Sequence, residues 1–290
     1  MPGSPFDSRV KEVNEKINGG IENLISELEK GKSENLVNYL EFCAKFHNYS
    51  SFNQILIFIQ NPRAVHCAGF NKWKTLNRYV KKGEKGLDIF APTFRKTKKE
   101  IEKENGEKEV KEITSLRGFI VVKVFDISQT DGEPLPELRG YEGNGEIYVS
   151  NMETFIKGKE ITLDYGYIPG TILGYSKKDS SYIMVSDTVI DKNEVLNVLI
   201  HEYSHQDLHR NKYEYRGEIS RQVKELEAES VAYIVMYSLG IKCNWGIDYI
   251  NMYNGNVELF KKSLNFIQKT SGEILNYLLA QTESSNQMVA

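Results

Sequence analysis

His201-Glu202-Tyr203-Ser204-His205, inside the apolar run Val195, Leu196, Val198, Leu199 and Ile200, decides the fold of the second half of this chain. The run predicts a helix. Histidines four apart on a helix lie one turn apart on the same face. Two imidazoles so placed can grip one metal ion from one side. Glu202 follows the first histidine, near enough to take a proton from a water on that metal. The pattern is H-E-x-x-H, and the metal expected is Zn2+. Only five histidines occur in 290 residues, and three of them fall between positions 201 and 209. A polar helix face that carries two histidines by coincidence is the competing reading.

Zinc in such a site takes a third protein ligand and keeps one position open. A third histidine after H-E-x-x-H-x-x-G is excluded, because Leu208 stands at the glycine position and Asn211 at the histidine position. His209 lies one turn beyond His205. From the same straight helix it would reach past the metal, so it reads as a neighbour of the site or a surface residue. The next helix, Lys224 to Tyr233, brings Glu225, Glu227 and Glu229. Glu225 and Glu229 share a face with Ala228 and Ala232, small residues that allow close helix approach. Glu225 is the expected third ligand. Glu229, one turn on, is expected to orient a ligand histidine through its free ring nitrogen. Glu227 points about 160–200° away and is expected in solvent.

The remaining composition is that of a water-soluble globular chain, with 40% hydrophobic and 27% charged residues. No apolar run approaches the ~20 residues that span a bilayer, so no membrane is expected as a partner. The start, MPGSPFDSRV, lacks a charged-then-apolar signal pattern. Three widely spaced cysteines argue against a disulfide framework. Together these predict a cytoplasmic protein. The net charge of −3 hides an asymmetry: Lys72 to Lys99 holds ten basic residues against Glu84 and Asp88. Such a local excess attracts phosphate backbones.

Taken in order, 6–31, about 34–46 and 52–60 read as three helices, the last stopped before Pro62. Asn53 and Gln54 are polar groups on this last, apolar element, fit either for capping or for ligand binding. From Ala68 to Gly86, Phe70, Trp73 and Tyr79 alternate with Lys72, Lys74, Arg78, Lys81, Lys82 and Lys85. Aromatic faces can stack on unpaired bases while cations follow the backbone; alternatively, the aromatics are core and the lysines a solvated face. Residues 97–112, almost wholly charged, read as a long exposed hairpin turn or as disordered. Gly118–Asp126 reads as a buried strand that pairs with residues 87–92. Residues 128–146, rich in glycine and proline, read as a linker. Beyond it come a helix at 151–157 and strands near 161–164, 171–175 and 181–185. The last of these is expected to be an edge strand beside the cleft, where an extended peptide could pair. Asp191 should cap the histidine helix. Tyr182 and Tyr233 are candidate oxyanion stabilisers.

The N-terminal half resembles the ArdC-type antirestriction family. The resemblance rests on Asn53-Gln54 running into ILIFIQNP (to Pro62), on AGFNKWKTLNRYVKKGEKGLDIFAP (Ala68–Pro92) and on VFDISQTDGEPLPE (Val124–Glu137). The C-terminal half resembles that family's zincin-like domain through IHEYSH and ELEAESVAY. Two departures, the charged insert after Lys96 and the missing glycine before His205, remove no metal ligand. The resemblance implies an α+β chain: a helical/β single-stranded-DNA-binding domain at 1–146, then a zincin-like (gluzincin) α+β metallopeptidase domain at 147–290. It implies zinc on His201, His205 and Glu225, with Glu202 as the catalytic base. It also implies a protein of a mobile genetic element that shields incoming DNA from restriction, with single-stranded DNA and a protein or peptide substrate as partners. Two rivals keep the same residues. One is a non-catalytic coat that masks single strands around a structural zinc. The other is a DNA-dependent protease that acts on DNA-bound proteins or on a regulator.

Overall fold

The computed structural model describes residues 5–29, 33–102, 108–134, 143–177, 180–210, 219–241 and 257–288. Three helices open it: α1 (Pro5–Glu29), α2 (Ser33–Lys45) and α3 (Ser51–Gln60). On α1, Val13, Ile17, Ile21, Leu24 and Ile25 recur at helical spacing and all are buried. The Ser50 hydroxyl caps α3 by accepting the Asn53 N–H at 3.4 Å.

β1 (Cys67–Gly69), α4 (Phe70–Thr75) and β2 (Arg78–Val80) lead into a long hairpin, β3 (Leu87–Glu102) and β4 (Lys108–Asp126), followed by β5 (Thr130–Gly132). β1, β4 and β3 form one antiparallel sheet in that order, and β2 pairs with β5. The pairing of 87–92 with the strand that ends at Asp126 is as predicted. In the charged segment, 97–102 and 108–112 are strand rather than turn or disordered, and 103–107 lie outside the described residues. Past a bulge at Thr93/Phe94 the ladder continues through Lys98↔Glu112 to Glu102↔Lys108. Thr97, Ile101, Val110 and Ile113 supply strand-forming residues within the charged run. β4 is also less buried than expected: Val124 is in the core, but Phe119 is half exposed, because the hairpin extends beyond the helices that cover its base. The linker expected at 128–146 begins with ordered strand β5, and residues 135–142 lie outside the described set.

Two amide side chains of α3 hold the free edge of β3. Asn53 donates to the Phe90 carbonyl at 2.9 Å and accepts the Phe90 N–H at 2.8 Å. Gln60, two turns on, does the same for Asp88, at 3.0 and 2.9 Å. Alternate strand residues present their N–H and C=O to the same side, and residues seven apart lie on one helix face. α3 thus completes the edge in place of a fourth strand.

The second half contains α5 (Glu146–Gly158), β6 (Thr162–Gly166), β7 (Gly174–Lys177), β8 (Tyr182–Ser186), α6 (Lys192–His209), α7 (Arg221–Ser238) and α8 (Val257–Met288). The sheet order is β6-β8-β7, with β6 parallel and β7 antiparallel to β8. The strand predicted as the edge, 181–185, is therefore the central one. β7 takes the edge beside the cleft, because β6 occupies the other side of β8. Asp191 caps α6 as expected, accepting the Glu194 N–H at 2.9 Å. α7 ends at Ser238, and Gly240 just beyond it has a φ of 72° that few other residues adopt.

The main core is continuous from Val13 on α1 and Leu36 on α2 to Leu199 on α6, Val231 on α7 and Leu278 on α8. A smaller cluster of Phe42, Phe46, Ile57, Leu87, Ile89 and Val124 lies under the base of the hairpin. Asn53→Ala leaves the Phe90 N–H and C=O without their partner. It should lower unfolding free energy by about 1–3 kcal/mol in urea titration; a loss below about 0.5 kcal/mol would show that the edge clamp is dispensable.

Candidate metal centre

α6 and α7 pack against each other, and Ala228 and Ala232, both buried, share the face of α7 that carries Glu225 and Glu229. This brings one carboxylate of α7 under the two histidines of α6. His201 Nε2 and His205 Nε2 are 3.0 Å apart. Glu225 Oε2 lies 3.6 Å from the first and 3.3 Å from the second. The point in their plane equidistant from all three is about 1.9 Å from each. Metal–nitrogen and metal–oxygen bonds of about 2.0–2.2 Å in a tetrahedral zinc site separate the ligand atoms by about 3.3–3.5 Å. These three residues would therefore hold one divalent ion.

The outward ring nitrogens are also engaged. His201 Nδ1 is 3.2 Å from Glu229 Oε2, the contact expected of Glu229. His205 Nδ1 is 3.0 Å from His209 Nδ1, and His209 Nε2 is 2.8 Å from Glu227 Oε2. Glu227 is thus not in solvent as its helical angle suggested. It is fully buried, because α8 covers that face of α7 and Ser263 donates to its other oxygen.

The charges couple across the site. Burial works against a proton on His201, but the carboxylates of Glu225, Glu229 and Glu202 outweigh it and push the imidazole up to about 9. Hydrogen bonds from both imidazoles hold the Glu225 carboxyl well below the usual carboxylate range. Burial raises Glu202, and His201 and His205 oppose that rise. Glu202 forms part of the wall of an open cleft of about 460 Å³, whose rim includes Tyr175, Ser176, Arg221 and Lys224. Gly174 on β7 had no signal in the sequence beyond being a glycine in a strand. A Cβ there would come within 2.6 Å of Val198 Cγ1 and 3.2 Å of Glu202 Cγ, so the edge strand approaches the glutamate only because this side chain is absent. Tyr182 and Tyr233 do not line the cleft. The Tyr182 hydroxyl is 3.4 Å from Met184 Sδ, and the Tyr233 hydroxyl donates to Glu41 at 3.1 Å. Tyr175 is the tyrosine on its rim.

The nucleic-acid candidates divide. Four have side chains that bond within the fold. Asn53 clamps β3. Gln54 is buried and donates to the Phe46 carbonyl at 2.9 Å. Trp73 is fully buried and donates its indole N–H to the Phe125 carbonyl at 2.9 Å. Arg78 spends its guanidinium on Thr130, Gly132 and Glu133, fastening β5. Phe70, Lys72, Lys74, Tyr79, Lys81, Lys82 and Lys85 are exposed. Lys74 Nζ sits 4.8 Å above the Phe70 ring. An apolar stripe missed in the sequence lies on the hairpin, where Phe94 pairs with Leu116 and Pro92 with Phe119, beside Arg95, Lys96 and Arg117. Alternation along 92–94 could have revealed part of it.

Two outcomes follow from the charge arrangement. With its pKa raised from 6.5 to about 9, charged His201 stabilises the metal-free protein fully below pH 6.5, and that contribution is lost as pH rises through 9. The metal-free melting temperature should therefore fall between these values, and a flat profile would refute the coupling. Zinc must displace the proton from His201, so calorimetry at pH 7.5 in buffers of different ionisation enthalpy should show about one proton released per ion bound.

Residues 8–125 match the family model of the N-terminal domain of anti-restriction factor ArdC. An uncharacterized protein of Bacillus anthracis, pXO2-81, is 29% identical over 283 residues, covering 84% of this chain and 47% of that protein. The chain thus spans about half the length of the curated relative it matches. Among solved structures, the Mn(II)-bound antirestriction ArdC protein from the R388 plasmid superposes with a TM-score of 0.52 at 18% identity, over 91% of this chain and 97% of that one. The metal-free structure of the same protein gives 0.49 at 21% identity, over 80% and 86%. No helix among the described residues is long and apolar enough to cross a membrane. Residues 8–125 thus match the N-terminal domain of the ArdC-type antirestriction family, and most of the chain shares a mixed α+β fold with the Mn(II)-bound structure.

Proposed function

We propose that this chain is a single-stranded-DNA-binding, zinc-dependent metallopeptidase that acts in antirestriction for a mobile genetic element. In this reading, residues 1–146 form the DNA-binding unit and 147–290 a gluzincin-like unit. The observation that carries the peptidase reading is the convergence of His201 Nε2, His205 Nε2 and Glu225 Oε2 within 3.6 Å, beside a buried Glu202. A zinc ion held there polarises a carbonyl and makes water a stronger acid. The chain's own residues do the rest. Glu202, raised by burial, accepts the proton of the attacking water and passes it to the leaving amine. β7, at the sheet edge, offers backbone N–H and C=O groups to an extended peptide. The positive charges of Arg221 and Lys224 on the rim favour an anionic group near the open side.

Support for DNA binding comes from different residues. Phe70 and Tyr79 are exposed, Lys74 lies over the Phe70 ring, and Lys72, Lys82 and Lys85 are exposed along the same stretch of chain. Exposed aromatics among cations suit stacking on unpaired bases. The exposed stripe of Phe94, Leu116 and Phe119 extends the same chemistry along the hairpin.

Glu202→Gln should keep zinc and lose cleavage of an unstructured protein substrate by about a hundredfold to ten-thousandfold. Zinc bound with no cleavage by the wild type, with or without single strands, would instead favour a coat with a structural metal. Tyr79→Ala and Phe70→Ala should each weaken single-strand affinity about 5- to 150-fold, the range that one lost stacking contact spans, read by fluorescence anisotropy at fixed salt. Unchanged affinity in both would remove this surface from the reading.

A further inference from the structure

We propose that His209, Glu227 and Ser263 are positioning residues that fix the tautomer and direction of His205 from inside the protein, and so set the affinity of the metal centre. The inference rests on the metal reading above. It starts from the donor and acceptor inventory. If His205 uses Nε2 on a metal, its one proton is on Nδ1, and Nδ1 must donate. The group within reach is His209 Nδ1, at 3.0 Å. His209 must then accept through Nδ1, which places its own proton on Nε2. That nitrogen faces Glu227 Oε2 at 2.8 Å. The Ser263 hydroxyl donates to Glu227 Oε1. With His209 neutral, every atom in this series has a complementary partner when His205 presents Nε2 as a lone pair to the centre.

Burial shows that the series is no incidental contact. The side chain of His209 is 5% exposed and that of Glu227 0%, and Ser263 is fully buried. A carboxylate in the dry interior is costly unless partners hold it. The two ligand histidines are thus held differently. His201 leans on Glu229, whose side chain is 21% exposed. His205 is tied through three buried groups to α8. Such outer partners keep a ligand ring in place and raise its basicity.

The test uses the full chain. In the zinc-loaded wild type, nitrogen NMR of the imidazoles should show His209 neutral with its proton on Nε2; a protonated His209, or one carrying its proton on Nδ1, overturns the proposal. Zinc affinity by chelator competition should weaken about tenfold to a hundredfold in His209→Leu. Glu227→Gln keeps an oxygen for His209 and should recover most of that loss. A purely structural role would lower the metal-free melting temperature and leave zinc affinity within about twofold of wild type, which would overturn the proposal. Should His209→Leu fail to fold, Ser263→Ala removes the last donor alone, and an affinity unchanged in it would count against the series. Loss of the peptidase reading leaves this test intact, because it reads metal and tautomer; a wild type that binds no zinc overturns both.

Discussion

The packing of α6 on α7 is the constraint on which the second half depends. Two helices can bring a carboxylate under two imidazoles only if their backbones approach closely, and Ala228 and Ala232 permit that. Close approach also forces polar groups into the interior. Glu202, Glu227, Ser204 and Gln206 are all buried, and each needs partners in a medium where unpaired polar atoms are costly. The Ser204 hydroxyl turns back to the Ile200 carbonyl, and Gln206 reaches the Lys177 and Tyr182 carbonyls across the sheet. The site is therefore supported from below by its own hydrogen bonds, and the cleft above it stays open.

The N-terminal half answers a different problem. A hairpin of two long strands has an unpaired edge, and edges invite unwanted pairing. Asn53 and Gln60 cover the base of that edge with side-chain amides, while Arg78 ties β2 to β5. The residues expected to read nucleic acid thus separate into a set that builds the platform and a set that is exposed on it.

How much of this could be read beforehand depended on whether the signal was local. The histidine pair, the cap at Asp191 and the contact from Glu229 to His201 follow from spacing along one or two helices, and the structure places them as expected. Glu227 could not be read, because its surroundings come from α8, over thirty residues away in the chain. Trp73 and Tyr79 carry similar aromatic character in the sequence, yet one is in the core and the other faces water. Only the packing of α4 against β4 distinguishes them. The central place of strand 181–185 is hidden for the same reason: which strand takes the edge is a property of the sheet, and alternation within a strand does not reveal it.

The continuous core has a consequence for how the two proposed activities could be separated. α2 lies against α7, and Ser51 and the His47 carbonyl bond to Asn265 and Gln268 of α8. Cutting the chain near residue 146 would strip Leu36, Tyr39 and Leu40 from one piece and Val231, Ile234 and Val235 from the other of apolar partners. Each fragment would present a sticky wall to water and tend to aggregate. Inactivity of such a fragment would report lost solubility before it reported lost chemistry. A genetic dissection of this protein is therefore better made by single surface or cleft substitutions in the intact chain than by truncation.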